Sequence, residues 1–184
     1  AMTDATTGYA PVFGANDGSL LLTSMPQDHR DFRPSVQLAA VVFSDTAAYR
    51  SGVDDNILGQ YGLAAPQHAL PDVKSHSFEH GGYHLLRRKN LKAVMRFPRF
   101  SFRPGHADAL HVDLHRDGKP VLFDAGTFSY VSAEDLEFGK TWAHNTVEFD
   151  GRSQMPSLSR FLYGDWLKAC DLQLAVHCNE NDSA

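Results

Sequence analysis

A strict alternation of apolar and polar residues between positions 109 and 115 constrains the fold more than any other feature of this sequence. Side chains alternate between the two sides of a strand, so His111, Asp113 and His115 share one side and apolar residues occupy the other. We expect the apolar side to face the core and the polar side to face solvent. Asp117-Gly118 follows at once and is a favoured two-residue hairpin turn. The pattern predicts an antiparallel hairpin.

Further short strands are predicted on both sides of this hairpin, at 83–87, 90–95, 119–123, 145–149, 160–166 and 172–176. Earlier in the chain, Pro34 lies in the first turn of a predicted helix, and apolar residues recur behind it at helical spacing. The sequence therefore predicts a mainly β fold, an antiparallel β-sandwich preceded by a short α-helical segment. We expect residues 1–75 to form a helical lead-in and linker, and residues 76–184 to form the β domain.

The composition is that of a soluble globular domain. The chain has 184 residues, 42% of them hydrophobic, and a formal net charge of −5. An acidic balance argues against nucleic-acid binding, and no run of about 18 apolar residues could span a membrane. We expect Cys170 and Cys178 to be ordinary thiols, and a disulfide between them stays open.

The first residues carry no charged-then-apolar signal pattern. An alanine before Met2 is typical of a residue added during cloning. We therefore expect the natural protein to be longer than this chain.

Chemically versatile side chains concentrate between residues 103 and 145. His106 precedes the alternating strand, Asp124 ends the hairpin, and His144 precedes the next predicted strand. Zinc binds three or four nitrogen, oxygen or sulfur ligands that converge on one point, and ligands at neighbouring strand ends can converge in this way. The alternative is that both histidines make ordinary hydrogen bonds. Three other histidines, His76, His80 and His84, are expected on the surface.

Several linked motifs carry a family resemblance. They are PGHADALHVDL at 104–114, GKPVLFDAGT at 118–127 with Tyr130, WAHNTV at 142–147 and DGR at 150–152. In their order and spacing they resemble the heparinase II/III-like polysaccharide lyases. The resemblance extends over most of residues 9–167.

This resemblance implies an incomplete, supersandwich-like β-sandwich, preceded by the end of an α/α toroid-type domain. It implies a structural zinc ion bound by His106, Asp124 and His144. Asp108 is expected to orient His106, and Asn145 to support the ligands. The resemblance also implies that the parent protein is periplasmic or secreted.

Such lyases cleave uronate-containing polysaccharides by β-elimination, so the implied partner is an acidic polysaccharide such as a glycosaminoglycan, alginate or a bacterial exopolysaccharide. Tyr130 is the expected catalytic residue, and Arg99 and Arg103 are expected to bind the substrate. The family's His-x-His-x-Asp run has Pro104 at its first position here, and proline cannot transfer a proton. We therefore expect this chain alone to lack the full catalytic set.

Two other functions remain open from the residues alone. One is a non-catalytic glycan-binding or structural module, which fits Pro104. The other is a non-haem Fe(II) oxygenase that binds iron through His106, Asp108 and His177. We also expect a homo-oligomer, because a sandwich without its partner domain exposes an apolar face.

Overall fold

A computed structural model describes residues 2–4, 6–14, 28–71, 74–127, 129, 131–132 and 135–170. The helices are α1 (Arg33–Ser44) and α2 (Asn56–Gln60), with 3₁₀ helices at Val53–Asp55, Asp135–Gly139 and Thr141–Ala143. The strands are β1 (His76–Phe78), β2 (Tyr83–Arg88), β3 (Leu91–Arg96), β4 (Val112–Arg116), β5 (Lys119–Leu122), β6 (Ser157–Ser159) and β7 (Leu162–Tyr163). The predicted mainly β, antiparallel fold class with a preceding helical segment is confirmed.

Helix α1 has Pro34 in its first turn, as predicted, and ends where Asp45 adopts a left-handed conformation. Its buried Gln37 holds the lead-in together. The amide oxygen of Gln37 accepts the backbone N–H groups of Ala48 and Tyr49, and its amide nitrogen donates to Asp55 Oδ1 at 2.6 Å. A buried amide with these partners fixes the loop after α1. The division at residue 75 stays a prediction.

Strands β1 to β5 form one antiparallel sheet in sequence order, and β6 and β7 form a separate ribbon. Asp117 and Gly118 both have positive φ, 52° and 73°, as a two-residue type I′ turn requires. The predicted hairpin and the pair of strands before it are therefore present. The sheet is a meander in which short turns join most neighbouring strands and a long loop, residues 97–111, joins β3 to β4.

The two faces of this sheet are reversed relative to the expectation. Because paired residues point to the same side, Asp113 shares its face with Val94 and Leu85. This face is covered: His111, Asp113 and His115 are buried, which corrects the prediction that they face solvent.

Residues 2–4 and 6–14 are one reason for the reversal, because some of them cross the face that carries Asp113. Lys92 Nζ donates to the carbonyl of Met2 at 2.9 Å, and the Phe13 ring meets the edge of His111 at 6.0 Å between centroids. On the opposite face Leu86 is 50% exposed and Leu122 is 40% exposed. The side of the sheet that carries Leu86 and Leu122 is thus partly open among the described residues, and the side that carries Asp113 is packed.

Other local predictions are corrected as well. Residues 145–149 form no strand. The side-chain amide of Asn145 donates to the carbonyls of Val112 and Phe123. Of this segment only Phe149 makes a β-bridge with a described residue, to Arg152 across the Asp150-Gly151 turn. The strand predicted at 160–166 is reduced to β7. His84, expected on the surface, is buried and stacked on Phe97 at 4.5 Å. The strand predicted at 172–176 lies outside the described residues.

None of the helices in the described part of the chain is both long enough and apolar enough to cross a bilayer.

Candidate metal centre

Three buried side chains from separate segments meet at one end of the sheet. His106 lies in the loop between β3 and β4, Asp124 follows β5, and His144 follows the 3₁₀ helix Thr141–Ala143. One potential ligand atom from each lies within 4.8 Å of the other two. Two metal–ligand bonds of about 2.1 Å span about 4.2 Å at most, so a small inward shift would let all three bind one ion.

Each side chain of this cluster is oriented by a hydrogen bond. His144 Nδ1 lies 2.7 Å from Asp124 Oδ2, and the Gly126 N–H donates to Asp124 Oδ1 at 2.7 Å. His106 Nε2 lies 3.1 Å from Thr127 Oγ1. The two imidazole rings stack with centroids 5.2 Å apart.

Each of the two histidines of the cluster has one ring nitrogen that makes no hydrogen bond within the described part of the chain. His106 Nδ1 and His144 Nε2 are both buried and have no hydrogen-bond partner among the described residues. Buried polar atoms normally have a hydrogen-bond partner or a metal ligand role, so these two nitrogens require an explanation. Two imidazole nitrogens and a carboxylate oxygen are a donor set that zinc favours, and the residues therefore fit a metal ion.

The protonation states also suit a metal. Burial lowers the pKa of His106, and the neighbouring His144 lowers it further, against the opposing effect of Asp108 and Asp124. Burial alone would raise the pKa of Asp124, but hydrogen bonds from His144 and Gly126 outweigh it and hold that pKa below its ordinary value. A deprotonated carboxylate and neutral imidazole are the forms that bind metal.

The loop that carries His106 is fixed to the segment that carries His144. The Ala107 N–H donates to the Gly139 carbonyl at 2.8 Å, and Thr141 Oγ1 donates to the Ala107 carbonyl at 2.9 Å. Tyr163 Oη donates to the same Gly139 carbonyl at 2.9 Å. Position 139 is crowded, and these bonds set the distance between the two histidines.

His111 is a neighbour of the cluster that the sequence did not indicate. It is 0% exposed, and its Nδ1 accepts the Asn145 N–H at 3.2 Å and lies 3.5 Å from Asp124 Oδ2. The side-chain amide of Asn145 donates to the carbonyls of Val112 and Phe123. Asn145 therefore ties β4 to the segment before Asp124. The only signal for His111 was its place in the alternating strand, which was taken as the solvent side.

Asp108 does not hydrogen-bond to His106, in contrast to the prediction. Its Oδ2 accepts a short hydrogen bond from Arg96 Nη1. A fully buried carboxylate is stabilised more by a charged guanidinium than by a neutral imidazole, which explains the preference. Thr127 has the orienting contact to His106 instead.

A cavity of about 810 Å³ adjoins the cluster, and His106 and Thr127 form part of its wall. Arg99 and Arg103 both line it and are exposed, so the structure brings them to the same cavity as the cluster. The described lining includes two more arginines, Arg96 and Arg160, and no Asp or Glu.

Two predicted site residues, Tyr130 and His177, lie outside the described residues. The oxygenase alternative needs His177 together with Asp108, and Asp108 is already paired with Arg96. The cluster that forms among the described residues is the one with Asp124.

Known structures and families provide the remaining comparison. The fold is similar to that of a heparinase III, the BT4657 gene product, with a TM-score of 0.52 and 16% identity over 81% of this chain and 22% of that chain. It is also similar to the heparan sulfate lyase HepC from Pedobacter heparinus, with a TM-score of 0.50 and 18% identity over 84% of this chain and 23% of that chain. The chain thus spans less than a quarter of either enzyme, and such identities show the fold alone.

No curated protein sequence matches the chain. Residues 71–183 match the family model described as Heparinase II/III-like, C-terminal. This match extends over more than half of the chain, and it agrees with the motifs around His106, Asp124 and His144. The chain therefore belongs to the heparinase II/III-like family.

Proposed function

We propose that this chain is part of a polysaccharide lyase that acts on acidic, uronate-containing polysaccharides by β-elimination, with a structural zinc ion bound by His106, Asp124 and His144. The observation that carries the proposal is a buried His-Asp-His cluster beside a cavity with four arginines and no described acidic side chain. Such a lining favours anionic ligands. One of the similar enzymes is named a heparan sulfate lyase, so glycosaminoglycans are the first substrates to test.

The structural part of the proposal concerns the three metal ligands. A zinc ion bound here would hold three loops together at the edge of the cavity. His106 and His144 offer the ring nitrogens that lack hydrogen-bond partners, and Asp124 offers a carboxylate oxygen. Thr127 keeps the His106 ring in place by its contact to Nε2.

The chemical part concerns the cavity. β-Elimination needs a group that neutralises the uronate carboxylate, a base for the C5 proton and an acid for the leaving oxygen. In our proposal Arg99 and Arg103 bind the acidic groups, and Tyr130 takes part in proton transfer. Pro104 is buried at the cavity wall and has no proton to exchange. We expect this chain alone to be nearly inactive, with the remaining catalytic groups elsewhere in the protein.

The metal proposal is tested by elemental analysis of the purified chain. We expect about one zinc ion per wild-type chain, and little zinc in His106→Ala or His144→Ala. His76→Ala is the matched control, because His76 is exposed and lies outside the cluster. Equal zinc content in all four proteins would refute the assignment of these ligands.

The lyase proposal is tested with the longest natural form of the protein and a panel of uronate polysaccharides. Ultraviolet absorbance of the unsaturated product reports β-elimination directly. Pro104 favours a second candidate, a non-catalytic glycan-binding module. Binding of an acidic glycan without any product across the panel would favour the module over the lyase.

A further inference from the structure

Arg96 differs from the other arginines that line the cavity. It is the last residue of β3, and both of its backbone groups are engaged: its N–H donates to the His111 carbonyl at 3.0 Å, and its carbonyl accepts from Leu110 at 2.7 Å. Its side chain is only 12% exposed and lines the same cavity as His106. Arg96 is therefore a largely buried cation whose backbone is held in place.

Two contacts hold the guanidinium of Arg96. Its Nη1 donates to Oδ2 of Asp108, a carboxylate with no exposed surface. Its Cζ lies 5.0 Å from the centroid of the Phe100 ring, within the range of a cation–π contact. Together they fix both the position and the plane of the group.

Much of the hydrogen-bonding capacity of Arg96 is left unused. A guanidinium has five N–H donors, and the hydrogen bonds of the described residues engage Nη1 alone. The N–H groups on Nε and Nη2 have no hydrogen-bond partner among the described residues, and the Arg96 side chain lines the cavity. Such a pair of N–H groups matches the two oxygens of a carboxylate, or two oxygens of a sulfate.

The side chains of Arg99 and Arg103 are not held in place in this way. Both are exposed, and an arginine side chain loses much of its rotamer freedom when a ligand fixes it. Arg96 has already lost that freedom through Asp108 and Phe100. A cation that is ordered before binding gives a higher affinity for the same contact.

We propose that Arg96 is the principal binding residue for an acidic group of the glycan, and that Asp108 is a positioning residue for Arg96. This inference rests on the proposed acidic-polysaccharide function and adds the residue that recognises the acid. An acidic group bound to Arg96 would lie in the cavity that His106 also borders. This role was not predicted from the sequence, because Arg96 ends a strand and its partner Asp108 lies 12 residues away in the following loop.

Arg96→Lys is the first test variant, because lysine keeps the positive charge but cannot form a bidentate hydrogen bond. The probes are a hyaluronan oligosaccharide, which carries carboxylates only, a heparan sulfate oligosaccharide, and neutral cellohexaose. Binding to the 184-residue chain is followed by isothermal titration calorimetry at low salt. We expect Arg96→Lys to weaken binding of the acidic probe roughly ten- to a hundredfold, the range for hydrogen bonds to charged groups.

Arg116→Lys is the matched control, because Arg116 is exposed and lies outside the cavity. We expect it to bind as the wild type does. The double variant Arg96→Gln/Asp108→Asn removes both charges at once, so no unpaired carboxylate stays buried. It should also lose binding, while circular dichroism and zinc content show that the fold and the metal centre persist.

The outcomes separate this inference from the proposed function. Weakening with hyaluronan assigns a carboxylate to Arg96, and weakening with heparan sulfate alone assigns a sulfate. Wild-type affinity of Arg96→Lys for both acidic probes, with losses in Arg99→Lys or Arg103→Lys, would overturn the inference and leave the proposed function standing. Failure of the wild type to prefer acidic probes over cellohexaose would overturn both.

Discussion

Gly139 has a hydrogen atom where any other residue would collide with the hydroxyl of Tyr163, beside the loop that carries His106. A Cβ at this position would lie 2.8 Å from Tyr163 Oη and 3.5 Å from His106 Cδ2. We therefore expect Gly139→Ala to cost about 1–3 kcal/mol of unfolding free energy, because Tyr163 and the backbone at position 139 must move apart. We also expect lower zinc occupancy, because the displaced Gly139 carbonyl accepts the Ala107 N–H next to His106. Urea denaturation and elemental analysis measure the two effects.

Gly59→Ala is the control for this prediction. A Cβ at Gly59 meets nothing within 4 Å, and the residue lies in α2, so we expect an unchanged or slightly higher stability. A Gly139→Ala variant that keeps both its stability and its zinc would contradict the packing described around His106.

His84 makes stability depend on pH. Both ring nitrogens are buried without a hydrogen-bond partner among the described residues, and burial lowers the pKa of His84. The unfolded chain then binds the proton more tightly than the folded one. Stability is therefore present above the ordinary histidine pKa of about 6.5 and is lost as the pH falls below it.

We expect His84→Leu to lose less stability than the wild type between pH 7.5 and pH 5.5, measured by urea denaturation at each pH. His76→Leu, at an exposed position on the neighbouring strand, should keep the wild-type pH dependence. Identical slopes for His84→Leu and the wild type would show that His84 does not contribute to acid sensitivity.

The start of β2 depends on a close approach between two backbone segments. Gly82 has a φ of 76°, and a Cβ there would lie 2.5 Å from the Phe97 carbonyl oxygen. Gly151 also has positive φ, 63°, but a Cβ there meets nothing. We expect Gly151→Ala to cost about 1 kcal/mol from backbone conformation alone. Gly82→Ala should cost roughly 1–3 kcal/mol more, because the clash adds to it.

Thermal or urea unfolding of the two variants measures this difference. Equal losses would mean that the contact between Gly82 and Phe97 contributes nothing beyond the φ requirement.

The elements that could be predicted from the sequence are those whose cause is local. The β4–β5 hairpin follows from alternation and from the turn chemistry of Asp117-Gly118, and α1 follows from its spacing and Pro34. Which face of the sheet is covered depends on residues that are distant in sequence, such as Met2 and Phe13. The alternation of His111, Asp113 and His115 therefore predicted the wrong side. The partner of Asp108 was missed for the same reason, since Arg96 lies 12 residues away.

At the scale of the whole molecule, two neighbouring leucines show the difference between the packed face and the open face of the sheet. Leu85 is 1% exposed and Leu86 is 50% exposed, on opposite faces of β2. We expect Leu85→Ala to cost about 2–5 kcal/mol of unfolding free energy, as for other buried leucines. Leu86→Ala should change stability by about 0.5 kcal/mol or less. Urea denaturation of both variants tests the assignment, and a large loss in Leu86→Ala would mean that this face is covered in solution.

The expected homo-oligomer stays a prediction at this scale. Sedimentation velocity of the wild type and of Leu86→Glu tests it, because a charge on the open face should reduce any association through that face.

The cluster of His106, Asp124 and His144 draws its members from three loops that share no strand. An ion bound there would act as a reversible cross-link, closing two chain segments into rings much as a disulfide would. Chelation should then loosen these loops before it melts the sheet, since β1 to β5 are paired without it. The expected sign is proteolysis that begins within residues 123–145 of the chelated protein, while the β2–β3 hairpin keeps its amide protection.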